Sequence, residues 1–222
     1  MERPRVKLCG TTSVRDALLA ESHGADYLGV LVAVPFSERN RPPELAAQIV
    51  AVVQVPVALL TWNASPEAVL RLLEQTGAAA VQLLGDEPPE QVAWLQSRTE
   101  REVWKSLFLP PRGVPVSEER RRRLLDAANA YAEAGAAKLL LDTAAEVDGV
   151  QRHGGTGRRE RLGGLPPASI RRFPLPTFLG RGYPAGERRR GLPHCSALRN
   201  RFVQRSGAPP RPPRPGADGG AL

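Results

Sequence analysis

The feature that most constrains this chain is a cycle. From Arg5 onward, short β-branched or apolar runs alternate with longer stretches of helical periodicity, at a repeat of about 25 residues. The apolar runs are Val6–Leu8, Tyr27–Val32, Val57–Leu60, Ala79–Leu83, Glu102–Leu107 and Lys138–Leu141. Strands this apolar must be covered on both faces. Interleaved with helices, they predict a parallel sheet, either a barrel or a doubly wound sheet.

Helix signals fill the gaps. Thr12 or Ser13 can cap a helix that carries Val14, Ala17, Leu18 and Glu21 and stops at Gly24. Pro43 opens a helix to about Val52, and Ser65-Pro66-Glu67 opens another with Val69, Leu70, Leu72 and Leu73 inward. A helix is expected over Pro89–Ser97, and Ser117 starts one running through Leu124, Leu125, Ala128 and Tyr131. The cycle fails after Gly157, where a helix over Leu165–Arg172 and a strand over Pro176–Leu179 are the last expected elements.

Composition changes at the same place. Residues 154–222 hold 14 arginines, no lysine and three acids, so the chain's net charge of +8 divides into +11 there and −3 before it. Half of the 22 prolines and 13 of the 21 glycines also fall in that stretch. Text this rich in Arg, Pro and Gly, with no apolar period, cannot bury enough surface to offset ordering entropy. The expected organisation is a barrel-like domain over 1–179 and a disordered or poorly packed tail over 180–222.

The two cysteines, Cys9 and Cys195, provide neither a disulfide framework nor a zinc spacing. No stretch reaches the ~20 apolar residues needed to span a bilayer, and the first ten residues hold no leader-like apolar run. A cytoplasmic protein without membrane partners is expected.

In a parallel barrel, chemistry gathers at the C-terminal ends of the strands. Cys9 ends the first strand, Arg39 lies in the loop after the second, Gln82 is within the fourth and Asp142 ends the sixth. Gly154-Gly155-Thr156-Gly157 forms a glycine-rich turn beyond it. Taken singly, each has an ordinary explanation: a small buried thiol, a solvated charge, a satisfied amide, a cap. The run Arg120–Arg123 reads as an exposed helix face, and His153 as an exposed loop residue.

Together the motifs are specific. VKLCGTTSV at 6–14, SERNRPPELA at 37–46, VQLLGDE at 81–87, VWKSL at 103–107, LLLDT at 139–143 and GGTG at 154–157 occur in that order. In order and spacing they resemble phosphoribosylanthranilate isomerase, an enzyme of tryptophan biosynthesis. The resemblance implies a parallel (β/α)8 barrel, the TIM barrel, here incomplete after its sixth or seventh strand. It implies an Amadori rearrangement of a phosphosugar without metal or cofactor, using one acid and one base.

By resemblance Cys9 is the base and Asp142 the acid. A thiol that titrates near ~8.5 when free needs a positive neighbour to act at neutral pH, and Lys7 and Arg39 are the possible ones. The acid must hold its proton at pH 7, which a dry barrel mouth favours. Arg39 resembles the arginine that binds the anthranilate carboxylate, and Gln82 a glutamine lining the substrate site. Gly154, Gly155, Thr156 and Gly157 resemble a loop closing over substrate near its phosphate.

The chain departs from the family pattern at Leu84, where a histidine is usual, and at 158–165, which reads RRERLGGL. After Leu179 the glycine-bearing ends of the seventh and eighth strands are absent, and the text at 179–191 reads LGRGYPAGERRRG. A shift of reading frame in a GC-rich gene would produce such text. One alternative is a non-catalytic protein whose basic tail binds nucleic acid or an anionic surface. Against it, the tail has no lysine and no RNA-binding signature, so a nucleic-acid partner is not expected. Another is a related barrel acting on a different sugar phosphate, which Cys9 with Asp142 disfavours. Nothing in the sequence specifies an oligomeric state.

Overall fold

The structure, a computed structural model, describes residues 5–110, 115–147, 150–153, 172–180 and 198–203. In chain order these form β1 (Val6–Cys9), α1 (Val14–Ser22), β2 (Tyr27–Ala33), α2 (Pro43–Val52), β3 (Val57–Thr61), α3 (Pro66–Thr76) and β4 (Ala80–Leu83). There follow α4 (Pro89–Gln96), β5 (Glu102–Leu109), α5 (Glu118–Glu133), β6 (Lys138–Val147), β7 (Val150–His153), β8 (Thr177–Leu179) and β9 (Leu198–Val203).

Strands β1 to β6 pair in parallel, each with the next. β8 adds a seventh parallel strand beside β6. Among the described residues the parallel array stops there, as the fading of the sequence cycle predicts. β9 runs antiparallel between β8 and β1, so the free edges of both strands acquire backbone partners. Its six residues lie within the Arg-rich stretch. β7 pairs antiparallel with the end of β6 and forms a hairpin that the sequence cycle did not anticipate.

Helix starts follow the expected chemistry. Ser13, Ser65 and Ser117 accept from the backbone N–H groups of Asp16, Ala68 and Arg120, and proline sits in the first turn of α2, α3 and α4. α1 ends as Gly24 adopts φ +82°, a conformation costly for any residue with a Cβ. On α1 the buried residues are Ala17 and Ala20, while Leu18 remains 43% exposed. On α3 Val69 and Leu73 are buried, and Leu70 and Leu72 only partly so.

The strands separate two cores by the two-residue period of β structure. Outward-facing Leu8, Val30, Leu59, Val81 and Val103 pack on helix residues such as Ile49, Val69 and Leu95. Inward-facing Tyr27, Ala58, Ala80, Trp104, Leu140 and Phe178 fill the lower interior. Tyr27 meets Trp104 and Phe178 edge-on at 5.5 Å between ring centroids. This aromatic floor closes the barrel bottom. Among the described residues, no helix is long and apolar enough to cross a membrane.

Candidate active site

The inward-facing residues next along several strands rise one pleat above that floor. Gln82 follows Ala80 by two positions, Ser106 follows Trp104, and Asp142 follows Leu140. On β1 the inward pair is Lys7 and Cys9, with Leu8 between them packed outward in the helix layer. Apolar floor below and polar side chains above are therefore consequences of one strand periodicity.

Lys7 is wholly buried. Its Nζ donates to Gln82 Oε1 at 2.7 Å, and Gln82 Nε2 donates to Ser106 Oγ at 2.9 Å. Gly29 makes room for it, since a Cβ there would stand 2.9 Å from Lys7 Nζ and 3.0 Å from Leu60 Cδ1. Burial pushes the Lys7 ammonium below its ordinary range. Cys9, by charge and hydrogen bonding, and then Asp142, by charge, pull it the other way. One buried amine therefore senses both the thiol of β1 and the carboxyl of β6.

Cys9 is a free thiol with 5% exposure, packed with Leu31, Val34 and Leu60 and bordered by Trp62 and Leu84. The chain turns immediately above it. Gly10 has φ +83°, and the N–H groups of Gly10 and Thr11 both donate to Gly29 O at 2.9 Å. The Arg39 guanidinium lies across Gly10, where a Cβ would meet its nearest nitrogen at 2.5 Å. Glycine after Cys9 thus serves two needs, the left-handed turn and the approach of Arg39.

The neighbouring Arg41 has a different use. It donates to the carbonyls of Thr12, Glu38 and Asn40, binding the β2–α2 loop to the start of the β1–α1 loop. Asn40 Oδ1 accepts from Val34 N at 2.8 Å, which fixes the same loop. Phe36, 61% exposed, stands edge-on to Trp62 at 5.2 Å on the rim.

Asp142 is 9% exposed midway along β6, where its Cα partner is Phe108. Its carboxylate rests against Gly180, at which a Cβ would lie 2.5 Å from Oδ1. Gly180 N donates to Leu141 O at 2.7 Å, holding the exit of β8 against β6.

The structure thus gathers Cys9, Gln82 and Asp142 around Lys7 and places Arg39 against Gly10, the residue after Cys9. Gly154, Gly155, Thr156 and Gly157 lie outside the described residues. His153 lies in β7, its Cα opposite Ala144. Among the described residues there is no group of three or more His, Cys, Asp or Glu side chains that could hold a metal ion. Sequence reading passed over Ser106, Gly29 and Gly180. Ser106 was detectable from its two-residue offset from Trp104, whereas the two glycines matter only for what packs against them.

A thiol and a carboxyl converging on a buried cation can move protons on a small molecule, and a half-buried guanidinium beside them can hold an anion. The apolar wall of Leu31, Leu60, Trp62 and Leu84 suits an aromatic or aliphatic group.

Comparison with known proteins points one way. Residues 6–160 match the family model described as N-(5'-phosphoribosyl)anthranilate isomerase. An N-(5'-phosphoribosyl)anthranilate isomerase from Bacillus subtilis is 37% identical over 109 residues, which cover 48% of this chain and 50% of that protein. The first such relatives are covered over 50% to 62% of their own length, so the chain spans less than two thirds of each. The phosphoribosylanthranilate isomerase structure from Thermus thermophilus superposes with a TM-score of 0.57 at 30% identity, covering 79% of this chain and 75% of that one. Another such isomerase, solved with reduced 1-(o-carboxyphenylamino)-1-deoxyribulose 5-phosphate, aligns at 30% identity with a TM-score of 0.52, over 63% of this chain and 64% of that one.

Proposed function

The chain belongs to the N-(5'-phosphoribosyl)anthranilate isomerase family, and from that premise we propose that it isomerises N-(5-phosphoribosyl)anthranilate to 1-(2-carboxyphenylamino)-1-deoxyribulose 5-phosphate. The observation that carries this reading is that Cys9 and Asp142 both face the barrel interior, two positions beyond the inward-facing Lys7 and Leu140. An Amadori rearrangement needs an acid and a base at one sugar, and this pair offers both.

Asp142 protonates the ribose ring oxygen, and the ring opens to an imine. The Cys9 thiolate removes the C2 proton, giving an enolamine that ketonises to the aminoketose. Arg39 receives the anthranilate carboxylate, a planar anion matched to a guanidinium fork. The aromatic ring lies against the apolar wall beside Cys9, and Gln82 orients the sugar from the next layer down. By their motif, Gly154, Gly155, Thr156 and Gly157 are assigned to the substrate phosphate, since glycine amides, which carry no Cβ, can approach oxygen closely. The same reading makes this a cytoplasmic enzyme acting on a small phosphosugar.

The test is the loss of phosphoribosylanthranilate fluorescence with purified full-length chain, alongside Cys9→Ala and Asp142→Asn. Turnover that falls at least about a hundredfold in each variant is the expected result. Turnover indifferent to both substitutions, or no turnover by the full chain, sinks the assignment.

A further inference from the structure

We infer that Lys7 is the positioning residue that generates and holds the Cys9 thiolate. The inference rests on Cys9 as the base, and it adds a partner that supplies the charge a thiolate needs inside a barrel. The proton balance is simple. The Cys9 Sγ–H bond breaks, its electron pair stays on sulfur, and the proton forms a third N–H bond on Lys7 Nζ. Lys7 then remains an ammonium while Cys9 alone exchanges protons with substrate.

Three observations support this assignment. Lys7 and Cys9 are two residues apart on one strand face, so both side chains enter the same space. Among the described residues no carboxylate is in ion-pair contact with Lys7; its hydrogen-bond acceptor is the neutral amide oxygen of Gln82. And the space is kept open for the amine, because Gly29 could not carry a Cβ without crowding Nζ. A buried ammonium that donates to a neutral amide is stabilised by any anion that forms beside it. The anion available on its own strand is the thiolate. The depressed proton affinity of Lys7 and the opposing pull of Cys9 and Asp142 agree with this sharing of one proton.

The charged and titratable surroundings are few. Cys9 comes from β1 and Asp142 from β6, while the Arg39 guanidinium of the β2–α2 loop lies across Gly10, the residue after Cys9. On the floor below, Lys138 of β6 is ion-paired with Glu102 of β5, and Tyr27 of β2 meets the Trp104 face-edge cluster. Lys138 and Lys7 stand 4.9 and 5.8 Å from the Trp104 ring centroid. The described parts of β3 and β4 bring no charged side chain to this face; Gln82 is their polar contribution.

The experiment is a pH titration of thiolate absorbance near 240 nm on the full chain, with the matching Cys9→Ser protein subtracted so that only Cys9 contributes. Wild type, Lys7→Met and Lys7→Arg are compared, each checked by circular dichroism at the same pH, with Lys7→Gln in place of Lys7→Met should the latter not fold. In the neutral variant the absorbance midpoint moves alkaline by about one unit or more, a roughly tenfold loss of thiolate at neutral pH. Lys7→Arg restores most of it, and the acid limb of kcat/KM shifts in step. A midpoint unchanged on removing the Lys7 charge overturns the inference. Because the absorbance needs no substrate, a shifted midpoint with no isomerase turnover would leave Lys7's role standing and refute the substrate assignment instead.

Discussion

Two lysines of this chain are almost completely shielded from water, and they lie on opposite faces of the sheet. Lys105 points outward under the helices and ends on Glu87 Oε2 at 2.6 Å. Glu87 is itself held, accepting from Asn63 N at 2.8 Å on its second oxygen, while Tyr131 Oη donates to its carbonyl. Lys7 points into the barrel and ends on a neutral amide. Burial pushes both amines below their ordinary range, and in Lys105 it is Glu87 that opposes the push. The contrast separates two uses of buried charge. On the helix side the charge is cancelled locally and the loop after β4 is fixed to α5. Inside the barrel it is left to act on whatever negative charge forms beside it.

The contrast breaks most visibly at Lys105. Lys105→Met leaves Glu87 charged, buried and without its cation, a change that costs about 3–5 kcal/mol. Urea denaturation should register that loss, while kcat/KM of the folded fraction stays within a few-fold. Adding Glu87→Leu should recover most of the stability, since a packed apolar pair can replace a buried ion pair. Failure of the double variant to recover would mean that the Asn63 N–H contact to the Glu87 carboxylate matters more than its charge.

Gly10→Ala probes the interior face with a smaller effect. A φ of +83° costs a residue with a Cβ about 1–2 kcal/mol, and the new methyl would displace the Arg39 guanidinium. KM for phosphoribosylanthranilate should rise more than the urea midpoint falls. A variant with unchanged KM would remove Arg39 from substrate binding.

Much of this was legible in the sequence because it depends on period and local chemistry. The six strand runs, the serine caps and the proline-led helix starts are read from neighbours a few residues apart, and the structure repeats them within a residue or two, apart from β6, which runs on to Val147. Cys9 and Asp142 were visible as polar residues ending apolar runs, and Gln82 as one within such a run. What was not legible depends on residues distant in sequence. The antiparallel seat of β9 between β1 and β8 is set by edges far apart in sequence, Val6–Cys9 and Thr177–Leu179. The use of Arg41 for loop carbonyls, and of Gly180 for Asp142, follows from packing that no spacing announces. The outward direction of Lys105 was implicit in its position between Trp104 and Ser106, but its partner Glu87 was not.

Ser106→Ala sharpens the interior side further. It removes the oxygen to which Gln82 Nε2 donates, at a cost of about 1 kcal/mol. With Gln82 less fixed, its grip on Lys7 loosens, so turnover of the folded protein should fall a few-fold beside that loss of stability. Equal turnover in Ser106→Ala would show that Gln82 is oriented by Lys7 alone.

The smallest effect is one of pH. Burial, with Glu87 nearby, pushes the Tyr131 hydroxyl up to about 12. Between its ordinary range near ~10 and that value the folded state retains a proton that the unfolded state releases, so stability falls as pH rises through this window. Lys105 and Lys7 have the opposite sign. Their folded forms bind protons less well than the unfolded chain, so stability rises as pH approaches the ordinary lysine range from below. Tyr131→Phe should flatten the alkaline fall, which solvent screening of the half-exposed hydroxyl makes shallow, and Lys7→Met should flatten part of the rise.

The most direct test of the division between the two faces is to measure kcat/KM and the urea midpoint for Lys7→Met and Lys105→Met side by side. The account predicts that Lys7→Met loses turnover about tenfold or more with its midpoint nearly unchanged, and that Lys105→Met loses stability while its folded fraction keeps its turnover. Equal losses of turnover in the two variants, or a midpoint lowered as far by Lys7→Met as by Lys105→Met, would contradict it.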